Sequence, residues 1–255
     1  MKAIRHSIAA LATVIGFVGA ADVSSAEETA PKKLKVVYWT GGVAHDYEQI
    51  GPILVEALPK LLPADIKVCK DASFLDAPDA KQLDVILMNH CYEDDKGVLT
   101  ESQKQALLDL VRGGVGVVAI HGSYYSFVKW DEYHTFYGAR FVRHGDAKAV
   151  IVVATVDKKH PIMKPLPDAF EVVSELYEST PLEKDCHVLA RAREKGTDKD
   201  HPSVWTRMYG KGRIVTILAG HWPDSYKVPD FQKLIAQSVL WAGHRLGPSR
   251  DKRAK

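Results

Sequence analysis

Short, nearly unbroken apolar runs alternate along the chain with longer stretches of helical period, an order that predicts strand, loop and helix in repetition. Residues 34–40 (Leu-Lys-Val-Val-Tyr-Trp-Thr) are β-rich and almost continuously apolar, as a strand covered on both faces must be. A helix is predicted over 48–61, with Ile50, Ile53, Leu54, Ala57, Leu58 and Leu61 on one face. Strands follow at 66–70 and 83–89. Thr100 and Gln103 then provide a capping-box start for a helix to about 111, which Gly113 and Gly114 end. Residues 115–120 (Val-Gly-Val-Val-Ala-Ile) form a further buried strand, preceded by the pair Gly113-Gly114 and followed by Gly122.

The second half is less regular. Residues 147–155 are strand-like, 171–173 and 187–191 are weaker candidates, and the turn Gly210-Lys211-Gly212 leads into a strand over 213–219. A last helix over 230–245 carries Phe231, Leu234, Ile235, Val239, Leu240 and Trp241. The class predicted is α/β: an open, mostly parallel sheet with helices on both faces and antiparallel additions in the second half. With no repeat, low-complexity tract or linker, residues 27–247 read as a single domain.

Both ends read differently. Lys2 and Arg5 precede an uncharged stretch over 7–21, and Ser24-Ser25-Ala26 precede Glu27, the three parts of a cleaved secretory signal over 1–26. The apolar run is short for a bilayer core of about 30 Å, so no membrane attachment is expected after cleavage. The mature protein is expected outside the cytoplasm, periplasmic or secreted. Residues 248–255 form a charged tail.

A composition of 46% hydrophobic and 26% charged residues supports a sizeable core and excludes a disordered chain or a disulfide scaffold. The formal charge of +2 leaves no basic stripe for nucleic acid. Cys69, Cys91 and Cys186 allow at most one internal disulfide, and none lies in a C-x-x-C pair, which favours three separate thiols. The oligomeric state is left open.

Histidines carry the chemical information. Open parallel sheets bind ligands at the carboxyl ends of their strands, and four apolar strands are followed within five residues by a histidine: His45, His90, His121 and His221. Gly41-Gly42 allows a tight turn before His45, with Asp46 beside the imidazole. Ile120-His121-Gly122-Ser123 places His121 at a sharp strand exit, where hydrolases of this general architecture present a nucleophile. Imidazole there suits a general base or a metal ligand.

The sequence resembles the ThuA-like family, named for trehalose utilisation, which has a class I glutamine amidotransferase-like fold. The resemblance rests on Gly41-Gly42-x-x-His45-Asp46, Val118-Ala119-Ile120-His121-Gly122, Phe141-x-x-His144, His160-Pro161-Ile162, Ser174-Glu175-Leu176-Tyr177, Pro202-x-x-Trp205, Tyr209-Gly210-Lys211-Gly212-Arg213, Gly220-His221 and Trp241-Ala242. It implies a role in the breakdown of trehalose or related sugars, including oxidised 3-keto forms. Amidotransferases need a cysteine at the elbow. Here the elbow holds His121, which argues against ammonia transfer, and Cys91 lies at a different strand exit.

Keto sugars react when a base removes a proton beside the carbonyl and an acid or cation steadies the enolate. The catalytic candidates are His121 as central base or ligand, His45 and His221 as its neighbours, Asp46 as orienting acid and Glu175 as second carboxylate. His144, His90, Tyr124, Trp130 and Trp222 are candidates for contact with a small sugar substrate, through polar groups or aromatic faces. The same imidazoles suit a divalent metal such as zinc, although no H-x-x-x-H pair gathers ligands on one helix and only the fold can bring them together. Two alternatives stand beside this reading. One is glycosidase chemistry by Glu175 with Asp46 or Asp224; the other is a non-catalytic carbohydrate-binding or sensing protein.

Overall fold

The strand residues predicted as apolar on both faces do face two separate cores. In β1 (Leu34–Gly42), Val36 and Tyr38 join one buried cluster while Val37 and Trp39 join the other. The computed structural model describes residues 32–94 and 97–247, so the expected signal over 1–26 and the tail over 248–255 lie outside the described residues. Among the described residues no helix is long and apolar enough to cross a membrane.

After β1 come α1 (Tyr47–Leu61), β2 (Ala64–Cys69), β3 (Val85–Cys91), α2 (Glu101–Gly113), β4 (Gly116–Ile120) and the short helices α3 (Gly122–Tyr125) and α4 (Asp131–Thr135). The chain continues through β5 (Phe141–His144), β6 (Val150–Thr155), β7 (Ala169–Val173), β8 (Tyr177–Ser179), β9 (His187–Glu194), β10 (His201–Tyr209) and β11 (Gly212–Ile217). It closes with α5 (Pro223–Lys227) and α6 (Pro229–Ala242). The main sheet has the order β2-β1-β3-β4-β11-β10-β9-β6-β7, and β5 pairs with β8 in a separate two-stranded sheet. Pairings from β2 through β11 are parallel, while those from β11 through β7 are antiparallel. The predicted α/β class with antiparallel additions is therefore observed.

Helices α1 and α6 bury Ile50, Leu54 and Leu58, and Phe231, Leu234 and Ile235, against one face of the sheet; α2 buries Leu107, Leu110 and Val111 against the other. Thr100 and Gln103 make the expected reciprocal capping box, and Gly114 closes α2 with a φ of 123°. The apolar stripe of α1 is narrower than predicted, because Leu61 lies on the solvent side of the last turn at 40% exposure.

Strand β10 was not predicted. Its Pro202 and Arg207 interrupt the β signal, and the pairing with β9 shifts register beside Pro202, where a ladder cannot use the missing N–H. β10 begins already at His201. The three cysteines are free thiols, with Cys69 and Cys91 buried.

Candidate functional site

The C-terminal ends of β1, β4 and β11 meet at one rim, and each delivers an imidazole. His121 leaves β4 with φ 46° and ψ −105°, an unfavourable backbone for a residue with a Cβ. It is held there by His121 N donating to Ile217 O at 2.8 Å and by Nδ1 bonding to Leu218 O at 2.7 Å. Gly122 is required next: a Cβ would stand 2.9 Å from Cys91 Cβ and 3.0 Å from His45 Cε1. The turn after β1 needs glycine for the same reason, since a Cβ on Gly42, at φ 93°, would lie 2.0 Å from the Cys91 carbonyl oxygen.

Across this rim the His45, His121 and His221 rings stand with centroids 5.0, 4.6 and 5.2 Å apart. His121 Nε2 is 3.1 Å from His221 Nδ1, and one ring nitrogen of each of the three lies within 4.8 Å of the other two. Glu175, just before β8, points Oε2 at His221 Nδ1 (3.1 Å) and His121 Nε2 (3.4 Å), and Oε1 at His144 Nδ1 (3.4 Å). His121 and Glu175 are buried, His45 and His221 are partly exposed, and His144 lies open at the edge. The cluster therefore has a way out to water.

The electrostatics favour neutral imidazoles at His45 and His121 beside an ionised Glu175. Burial, reinforced by the neighbouring His121 and His221, pushes His45 down to about 3. Burial likewise lowers His121, against the opposing pull of Glu175. For Glu175 burial acts upward, but the neighbouring His121 and His221 outweigh it and hold the carboxyl below the usual range. His45 Nδ1 is 3.2 Å from Val43 O and 3.1 Å from the Tyr47 hydroxyl, while its Nε2 is buried without a hydrogen-bond partner. A carbonyl can only accept, so Nδ1 carries the hydrogen and Nε2 a lone pair.

His121, His45, His221 and Glu175 are thus brought together as expected, with His144 at the rim and Trp222 against His221 at 4.5 Å between ring centroids. Asp46 has another job. Its carboxylate caps α1 by accepting from Gln49 N at 3.1 Å, and Val43 O and Tyr47, not Asp46, orient His45. His90 points away, fully buried against Trp39, Tyr92 and Phe127, with Nδ1 on the Ser126 hydroxyl. Tyr124 is buried and bonded to Ser179, and Trp130 packs on Phe127 and Tyr133; both belong to the core. Asp224 is exposed and paired with Lys227, so both carboxylates that the glycosidase reading sets against Glu175 are engaged elsewhere, Asp46 as the cap of α1. Cys91 is buried, and burial pushes its thiol up to about 12, unsuited to nucleophilic attack.

Two residues at the site have roles beyond those expected from the sequence. The Tyr177 ring lies 4.2 Å from the His121 ring, and the Ser174 hydroxyl accepts from the backbone N–H of Gly220 and His221. Both fall in Ser174-Glu175-Leu176-Tyr177. The signal was the motif itself, whose flanking residues gave no hint that they reach across the sheet.

A largely parallel sheet with helices on both faces and His121 at the elbow after β4 fits the class I glutamine amidotransferase-like fold. The ThuA family model, described as trehalose utilisation, matches residues 35–242, and the chain belongs to that family. Among solved structures, a ThuA-like protein from Parabacteroides merdae superposes with a TM-score of 0.70 at 20% identity, covering 85% of this chain and 92% of that one. A ThuA-like protein from Bacteroides uniformis gives 0.68 at 21% identity, with coverages of 89% and 95%. A cytoplasmic protein from Salmonella typhimurium gives 0.63 at 14% identity, with coverages of 82% and 99%. No curated protein matches the sequence. Family membership carries a carbohydrate-related role.

Proposed function

We propose that this protein is an exported enzyme of carbohydrate catabolism that moves a proton beside the carbonyl of an oxidised sugar, such as a 3-keto-disaccharide. The observation that carries the reading is the convergence of His45, His121 and His221 on the ionised Glu175 at the carboxyl edge of the sheet. Glu175 is the base. It stays ionised beside the imidazoles, and its Oε1 reaches His144 at the rim, through which a proton can pass to solvent. The inward nitrogens of the three imidazoles stand opposite it, where a cation held among them would steady a carbonyl oxygen as it becomes an enolate. Trp222, half-buried beside His221, offers aromatic surface suited to the face of a pyranose ring, and the buried Tyr177 ring supports His121 from behind.

The test is incubation with glucose disaccharides and their 3-keto forms, with products identified by mass spectrometry. Wild-type protein should convert a keto form, and Glu175→Gln should lower turnover by about 10²–10⁴-fold with its thermal midpoint little changed. Full turnover by that variant would remove Glu175 from the role of base.

A further inference from the structure

We propose that the three imidazoles hold a divalent cation of the zinc class through His45 Nε2, His121 Nε2 and His221 Nδ1, with Glu175 facing the fourth position. The inference deepens the reading above by naming the source of positive charge, but its ligands stand on geometry alone.

The argument is a count of protons against lone pairs. His121 Nδ1 must give its hydrogen to the Leu218 carbonyl, which leaves Nε2 as an acceptor. His45 Nδ1 gives its hydrogen to the Val43 carbonyl, which leaves Nε2 as an acceptor with no partner at all, although buried. His221 Nδ1 can supply one proton, but His121 Nε2 at 3.1 Å and Glu175 Oε2 at 3.1 Å both compete for it. More electron pairs than protons thus face one small volume, an arrangement that is costly at low dielectric unless a cation lies among them.

The outer bonds have the form that metal-bound imidazoles use. Each of the two inner histidines donates its far N–H to a backbone carbonyl, which fixes the tautomer and aims the other nitrogen inward. Zinc at about 2.0–2.1 Å from each nitrogen needs nitrogens about 3.4 Å apart in a tetrahedron. The His121–His221 separation of 3.1 Å is already close to that, and the limit of 4.8 Å across all three leaves a small closure for His45. Three imidazoles without thiolate suit zinc and its neighbours over calcium or magnesium. Three protein ligands leave a position for water or a sugar oxygen, within reach of Glu175.

Chelator-stripped protein titrated with Zn²⁺ against a chromophoric competitor should take up about one equivalent per chain. Co²⁺ should give the visible absorption of a four-coordinate nitrogen site. His45→Gln and His221→Gln, with folding checked by urea midpoint, should each weaken binding by at least about 10–100-fold, whereas Glu175→Gln should keep the full equivalent. No uptake by the wild type, or unchanged affinity in both histidine variants, would overturn the site, and loss of metal in Glu175→Gln would overturn the place given to Glu175. Keto-sugar turnover by metal-free protein would overturn the cation's part in catalysis while leaving the sugar reading intact. Stoichiometric metal without turnover of any sugar would leave the cation standing and remove the sugar reading.

Discussion

The Ser174 hydroxyl shows how much one atom can set at this rim. It accepts from the N–H groups of Gly220 and His221, and so fixes the backbone from which the His221 ring projects. Ser174→Ala would leave two donors without their acceptor, at a cost of about 1–3 kcal/mol read as a shift in urea midpoint. It would also loosen His221, so a fall in turnover larger than the stability loss explains is expected. A second residue-scale expectation concerns Tyr47, whose hydroxyl meets His45 Nδ1 at 3.1 Å. Tyr47→Phe should keep the fold, because the ring stays buried, and reduce activity only mildly, because Val43 O still holds the same nitrogen. A loss as deep as that of a His45 variant would show that the hydroxyl, and not the carbonyl, sets the tautomer.

Among the elements, the elbow between β4 and α3 is the most constrained. Gly122→Ala should be strongly disruptive, since its Cβ would press on Cys91, on the His45 ring and on the His90 carbonyl at once. Turnover should fall together with thermal midpoint; an active, stable variant would mean that the β1 and β3 ends can yield. By contrast, Thr100→Ala removes a cap whose side-chain bonds run to Gln103 and Ser102, and should lower stability by about 0.5–2 kcal/mol without changing KM or kcat. The element scale is also where the sequence was most legible. Strands β1, β3 and β4 and helices α1, α2 and α6 were readable because their apolar periods are strong and their caps local. Strand β10 was not, because its side chains gain their β-context only from β9 and β11 on either side.

For the whole molecule, buried histidines outside the site tie stability to pH. Burial pushes His90 down to about 3, and burial with the nearby His187 charge takes His160 down to about 4. In the unfolded chain both titrate near the ordinary value of about 6.5. The unfolded state therefore binds more protons below that point, so the stabilisation from neutral His90 and His160 is complete above about pH 6.5. It is lost progressively as pH falls toward 4 and then 3. Urea midpoints should drop from pH 7 to pH 4, and His160→Gln should flatten the slope between about 6.5 and 4. An unchanged slope in that variant would show that His160 is already charged in the folded protein.

The sequence by itself determined the layered α/β class, the spacing of its main elements and the delivery of histidines to strand ends, because apolar period and glycine turns are local properties. It also supplied His45, His121, His221 and Glu175 as candidates. It did not separate them from His90, which leaves β3 by the same pattern yet points into the aromatic core. Nor did it show that Asp46 caps a helix. Those choices depend on strand order and on which face each exit turns toward, and residues as far apart in the chain as His45 and His221 meet only once β1, β4 and β11 lie in one sheet. Tertiary structure decided the site because a shared pocket is a property of distances through space, which no window along the chain contains.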